Sequence, residues 1–268
     1  MDNTKAIQKF YNADPTMEDE RLNRHQLEFD MTWRYFDEFL PKSGHILEIG
    51  CATGIYTVGL AQKGYQVTAV DMSDGLLAMC QANLEKAGLL DKVKILRADA
   101  RDLDQIEKRD FDAVMLMGPL YHLFEESDRK RAIQEAYDHL RPGGVFYSAH
   151  ISKFGIMGNL IWKHPDWMED QANLDHFLEK GYMPFDKESI GFRGYFATVP
   201  EIVPLHESVG LETIALAGIE PGIADDDASY NKLEGRQREQ WLELFYKMST
   251  LPSLIGASRH LLYVGRKK

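Results

Sequence analysis

Cysteine is scarce in this chain: among 268 residues only Cys51 and Cys80 carry a thiol. Two cysteines cannot build a disulfide framework, and these are too far apart in sequence for a zinc cluster. The nine histidines show no HxH, HExxH or HxxxH pairing, so no metal site is expected. Positive charge is also short, with 31 Lys and Arg against 42 Asp and Glu and a net charge of −11. Nucleic-acid affinity comes mostly from Lys and Arg neutralising phosphates, so no nucleic acid is expected as a partner. The densest basic cluster, Arg129-Lys130-Arg131, is short and suits one solvated helix face. No apolar run reaches the ~18 residues of a membrane helix. The opening MDNTKAIQKFYN lacks the apolar segment of a signal peptide. No membrane association and a cytoplasmic, reducing setting are therefore expected.

What is present is the balance of a globular protein, 44% apolar and 27% charged. The length suits one large α/β domain, and the reading here is a single domain over 1–268. Short apolar runs at 45–49, 66–70, 93–97, 111–117 and 145–150 show little alternation, as strands covered on both faces do. Helical patterns alternate with them, which points to a mostly parallel sheet with helices on both faces. Ser73 can cap a helix carrying Leu77, Cys80, Leu84 and Ala87 on one face, with Gly88 at its stop. A helix from about 127 turns Ile133, Ala136, Tyr137 and Leu140 inward, and Pro142-Gly143-Gly144 ends it. Residues 18–40 are predicted helical up to Pro41, as part of an N-terminal helical cap over 1–40. A helix at 201–209 has Thr198 and Glu201 spaced as a capping box, and Pro204 kinks it or delays its start. Strands at 211–219 and 260–266 are predicted to pair as a hairpin around a helix at 235–249.

The chemistry gathers in HILEIGCATG, residues 45–54. A strand ends in an acid, Glu48, and runs into a turn with Gly50 and Gly54 before a helix. Such a turn lets backbone approach a ligand and offers the free N–H groups of a helix start. A dinucleotide loop would read GxGxxG, with pyrophosphate on the helix. Ala52 and Ile55 stand where it needs glycine, and Glu48 would repel a diphosphate. Glu48 suits an ammonium or cation, so the loop favours S-adenosylmethionine over NAD. Asp71 lies 71 − 50 = 21 residues beyond Gly50, near the ~20-residue offset at which an acid accepts from ribose hydroxyls. Asp99, after the third strand, can accept from an adenine amino group while the Ala100 N–H donates to a ring nitrogen. Three acids at the ends of successive parallel strands converge on the edge where such folds bind ligands.

These motifs resemble class I S-adenosylmethionine-dependent methyltransferases. ILEIGCATG is similar to the first family motif, VTAVDMS to the second and RADARDL to the third; FDAVMLMGPLYHL and LRPGGVFYSAH are similar to the fourth and the one after it. The likeness covers roughly 45–150. Ala52 departs from the usual middle glycine. The resemblance implies a Rossmann-like, seven-stranded sheet with one antiparallel strand, S-adenosylmethionine as cofactor, and a set of roles. Glu48 would lie near the methionine amino group. Backbone of Gly50, Cys51, Ala52 and Gly54 would surround the methionine part, with Thr53 nearby. Asp71 would hold the ribose and Met72 would pack on the adenine, read by Asp99 and Ala100. Met117 and Gly118 would line the sulfonium. Tyr121 and His122, after the Gly118-Pro119 turn, are the candidates for contact with the acceptor, His122 as a general base. Tyr11 and Arg21 belong to an N-terminal segment that folds over the cofactor in similar enzymes, where an arginine can pair with the methionine carboxylate.

Residues 154–196 hold Phe154, Trp162, Trp167, Phe177, Tyr182, Phe185, Phe192, Tyr195 and Phe196. The stretch 151–198 is read as a helical lid insertion favouring an apolar, aromatic or amine-bearing small-molecule acceptor. Ordinary core and a homodimer contact are its other uses. Two further functions stay open. A nicotinamide-dependent oxidoreductase is disfavoured by Ala52, Ile55 and Glu48. A non-catalytic S-adenosylmethionine-binding protein would need no acceptor pocket.

Overall fold

A computed structural model describes residues 4–184, 193–223 and 227–268. Strands β1 (His45–Ile49), β2 (Gln66–Asp71), β3 (Val93–Arg97), β4 (Phe111–Leu116), β5 (Leu140–Ser152), β7 (Leu211–Gly218) and β8 (His260–Lys267) lie in the order β3-β2-β1-β4-β5-β8-β7. A two-residue β6 (Phe196–Ala197) pairs with β5 off this path. β8 runs antiparallel to both neighbours and the other pairings are parallel. The Rossmann-like α/β architecture is therefore as expected, with β6 as an eighth, minimal strand. Ile46, Leu47, Ile49, Val114 and Leu116 are buried because helices cover both faces. The chain runs outward through β1, β2 and β3, then returns to place β4 on the other side of β1. The strand order thus reverses between β1 and β4, and a crevice opens at their carboxyl ends.

Ser73 caps the helix Asp74–Ala87 by accepting from the Leu76 N–H at 3.2 Å, and Gly88 ends it in the left-handed region with φ 68°. Its buried stripe is Leu76, Leu77, Cys80 and Leu84; Ala87 is exposed, contrary to expectation.

Several local expectations are corrected. The 18–40 helix is broken into Thr16–Asp19, Arg21–Arg24 and Gln26–Phe39, with non-helical His25 at φ −111°, ψ 62°. Across the break at His25, Arg21 grips Glu28 of the following helix with both terminal guanidinium nitrogens. Pro142-Gly143-Gly144 does not separate helix from strand: the helix Glu126–His139 passes directly into β5, and these residues lie beside an irregular register between β4 and β5. The later helix spans Val199–Glu207, starting early on Pro200 with Pro204 inside it. Thr198 Oγ1 bonds the Glu201 carboxylate at 2.5 Å instead of closing a capping box. Arg129 is not solvated: it is buried, donates to the carbonyls of Leu123 and Phe124 at 2.8 Å, and lies over the Tyr195 ring.

Residues after β5 form helices Met157–Lys163 and Gln171–Lys180, and Ile151, Ile156, Leu160, Phe177 and Phe196 make a small core of their own. Phe154 is 58% and Trp162 79% exposed. Phe185 and Phe192 lie outside the described residues, and the Trp167 side chain is not described. Among the described residues, no helix is long and apolar enough to cross a membrane.

Candidate functional site

One cavity opens where the strand order reverses. It is lined by Glu48, Gly50, Cys51, Ala52 and Thr53 after β1, Asp71 and Met72 after β2, Asp99 and Ala100 after β3, and Met117, Gly118, Tyr121 and His122 after β4. Tyr11 and Arg21 of the N-terminal helices close it. Of the residues singled out from the sequence, only Gly54 is not on the wall. It stands one layer behind, with φ 85°, where an added Cβ would lie 2.6 Å from Cys80 Sγ.

The turn after β1 is held by backbone geometry. Gly50 has φ 81°, and a Cβ there would meet Pro119 and the Met117 carbonyl at 2.6 and 2.7 Å. Ala52 is the one non-glycine residue with positive φ among those described, at 48°. Its N–H donates to Asp71 Oδ2 at 3.0 Å, and the Ser73 N–H donates to Oδ1 at 2.9 Å. Asp71 therefore ties the first loop to the second. Burial raises its pKa, and these amide bonds partly offset the rise.

Glu48 is buried and accepts from Thr57 Oγ1 at 2.6 Å. Desolvation pushes its pKa up to about 8 against that bond, with the Asp71 charge adding to the rise. The acid is held protonated at neutral pH until a cation stands beside it. Asp99 is already engaged: Arg101 donates to both its oxygens, at 3.0 and 2.7 Å, and also reaches Asp128 and Thr4 Oγ1. Cys51 is a small buried thiol, pushed up by contact with Cys80 and by burial.

Tyr11 donates its hydroxyl hydrogen to His122 Nε2 at 2.9 Å, and His122 Nδ1–H donates to the Arg193 carbonyl at 2.9 Å. Both nitrogens are thus committed, and burial lowers the His122 pKa to about 4. Arg21 does not present a free guanidinium. Nε bonds Glu18 at 2.8 Å, and the other two nitrogens grip Glu28 at 2.7 and 3.0 Å. Burial raises the pKa of Glu28, but Arg21 and His260 outweigh it and hold the acid at about 2.

Glu28, Tyr56, Ala149, Ile219 and His260 also line the cavity and escape a reading by motif. They come from the N-terminal helices, the helix after the glycine turn, the end of β5, the end of β7 and the start of β8, so no local pattern joins them. The one available signal was His260 opening an antiparallel strand, which puts it on the ligand edge. Behind it, Glu220 and Arg259 are buried and paired. Donor atoms of Glu28, Glu220 and His260 lie within 4.8 Å of one another, but the guanidiniums of Arg21 and Arg259 already occupy the two carboxylates. None of the described residues of 151–198 lines the cavity. That stretch touches its rear wall through the Arg193 carbonyl and a Tyr195 N–H to Tyr121 O bond of 2.7 Å.

Residues 46–144 match a family model described as a methyltransferase domain. A glycine/sarcosine N-methyltransferase of Halorhodospira halochloris is 29% identical over 151 residues, 55% of this chain and 48% of that protein. The chain spans about half the length, or less, of the curated relatives it matches first. A solved S-adenosylmethionine-dependent methyltransferase of Methanosarcina mazei superposes with TM-score 0.60 at 20% identity, covering 87% of this chain and 96% of the other. One from Thermotoga maritima gives TM-score 0.61 at 16% identity, covering 97% and 98%. At those identities the two structures establish the fold. Residues 46–144 thus resemble a methyltransferase domain, and the chain has the fold of S-adenosylmethionine-dependent methyltransferases.

Proposed function

We propose that the chain moves a methyl group from S-adenosylmethionine to a small-molecule nucleophile, within one domain capped by its N-terminal 40 residues. The observation that carries this reading is the convergence of Glu48, Asp71 and Asp99 on one cavity at the β1/β4 crevice. The pocket has features that fit the cofactor. Gly50 leaves a cradle that a Cβ would fill. Glu48 is a protonated acid poised to give up its proton beside an ammonium. Thr53 Oγ1 is buried with no hydrogen-bond partner.

In this reading Asp71 accepts from the ribose diol, Glu48 faces the methionine amino group, and backbone of Gly50, Cys51 and Ala52 surrounds the methionine. Met72, Ala100 and Asp99 bound the adenine, with Asp99 aligned by Arg101. Met117 and Gly118 flank the sulfur. When bound, S-adenosylmethionine supplies a methyl group already activated by its sulfonium. The protein's task is to align the acceptor and exclude water. Tyr121 and the Tyr11–His122 pair wall the acceptor end, and Arg21 acts by fixing Glu28 and Glu18. Ile7, Leu22, Phe124 and Ile219 add apolar surface to the cavity. This supports an apolar, aromatic or amine-bearing acceptor, as does the relative named for glycine and sarcosine N-methylation.

Calorimetric titration with S-adenosylhomocysteine and with NADH tests the reading. Binding of the first alone is expected. Binding of NADH alone would return the chain to oxidoreductases. Tight S-adenosylhomocysteine binding with no methyl consumption across amines, thiols and phenols would favour a sensor.

A further inference from the structure

We propose that His260 is the general base for the acceptor, with Glu220 and Glu28 as its positioning residues, and that the acceptor is a protic nucleophile: a thiol, phenol or amine that loses a proton on methylation. This rests on the methyltransferase reading above. His260 is the first residue of β8, paired with Ile151 of β5. Because β8 is antiparallel, its beginning lies at the edge where the parallel strands end. That topology carries the histidine to the cavity wall, beside Ala149 and Ile219.

The ring is fixed from one side. Nδ1–H donates to Glu220 Oε2 at 3.0 Å, with Glu28 Oε2 at 3.3 Å, and the His260 backbone N–H donates to the same Glu220 oxygen at 2.9 Å. Two carboxylates on Nδ1 fix the tautomer, so that Nε2 carries the lone pair. Nε2 has no hydrogen-bond partner among the described residues. Each carboxylate already has its own cation: Arg21 grips Glu28, and Arg259 bonds Glu220. Asp227 and His25 continue the network beyond Arg259, and Glu18 continues it beyond Arg21.

His122 has the opposite surroundings. Its two nitrogens are spent on Tyr11 and the Arg193 carbonyl. In the transfer, the acceptor heteroatom gives its proton to His260 Nε2 and bonds the methyl carbon, whose former bonding pair stays on sulfur. One positive charge leaves the sulfonium and one appears on the imidazolium, where Glu220 and Glu28 stabilise it.

The test uses the full chain. His260→Gln should keep S-adenosylhomocysteine affinity within about threefold, showing that the fold and cofactor end persist. Its methyl transfer to a panel of thiols, phenols and primary amines should fall about 10²-fold, and added imidazole should partly restore His260→Ala. Independently of turnover, nitrogen-15 spectra of histidine-labelled protein at pH 8 should show His260 protonated on Nδ1 and bare on Nε2, assigned by the signal lost in His260→Gln. Undiminished turnover in His260→Gln, or a proton on Nε2 in place of Nδ1, overturns the proposal. Failure of the wild type to bind S-adenosylhomocysteine overturns the methyltransferase reading instead. The spectra decide the tautomer in either case, and also where the panel yields no turnover.

Discussion

In the proposed reading, the cofactor end of the cavity is shaped by a backbone turn and three strand-end acids, whereas the acceptor end sets apolar and aromatic side chains beside a buried ion network. Around Gly50 and Ala52, shape comes from φ angles and from amides donated to Asp71. Around Glu28, shape comes from an ion network spanning Glu18, Arg21, His260, Glu220, Arg259 and Asp227. The turn after β1 does not tolerate an added Cβ at its glycines. A buried ion network fails when any one partner is lost, because the survivor is left charged and dry. The two ends should therefore break differently.

The largest effect is expected at the acceptor end. Glu28→Gln strands Arg21 and should cost about 3–5 kcal/mol in chemical denaturation. It should also change the acid response. The folded-state pKa of Glu28 is about 2 against an ordinary 4.5, so it stabilises the fold above pH 4.5, and that contribution is lost as pH falls from 4.5 to about 2. The variant's stability should fall less over that window than the wild type's. A cost below about 1 kcal/mol would show the network to be ornamental.

At the cofactor end, Gly54→Ala combines a left-handed residue with a clash on Cys80. A loss of about 3 kcal/mol is expected, read as a lower thermal midpoint. Asp71→Asn should weaken S-adenosylhomocysteine binding about 10²-fold in calorimetry, at roughly 1.4 kcal/mol per decade, while the acceptor-end network stays intact. Glu48 titrates in the opposite sense to Glu28. Its folded pKa of about 8 lies above 4.5, so the folded state keeps a proton that the unfolded chain releases. Stability should then fall as pH rises from 4.5 to about 8, and Glu48→Gln should flatten that slope in denaturation series. The smallest effect is Ala52→Gly. It relieves a left-handed alanine by about 1 kcal/mol, a rise of a few degrees in melting temperature; a fall would mean that the methyl group packs usefully.

The same contrast explains what could be read in advance. The cofactor end is local in sequence: each acid follows its own apolar strand, and the glycine turn lies between the first strand and its helix. The mostly parallel sheet followed from the alternation of strands and helices, and the single antiparallel strand from the family resemblance. The acceptor end was mostly hidden. Glu28, Glu220 and His260 lie far apart in the chain and meet only through packing, and no spacing rule links an N-terminal helix to a C-terminal strand. Arg21 was legible as a candidate, but its partners were not, so it looked like a free cation. The aromatic residues at 154–196 suggested a lid over the site, and Phe185 and Phe192 of that stretch lie outside the described residues. Among those described, Phe177 and Phe196 join a small core against which Tyr121 packs, Tyr182 stacks on Phe124, Tyr195 lies under Arg129, and Phe154 and Trp162 are exposed. The helix over 18–40 breaks at Glu20 and His25, and Arg21 pairs with Glu28 across the second break, a contact that helical periodicity does not announce.

A crystal structure of the chain with S-adenosylhomocysteine bound tests the central claim most directly. The account predicts the ribose hydroxyls within hydrogen-bond reach of Asp71, the methionine amino group beside Glu48, and the sulfur facing the end of the cavity that holds His260. A ligand lodged elsewhere, or one whose ribose lies away from Asp71, would contradict it.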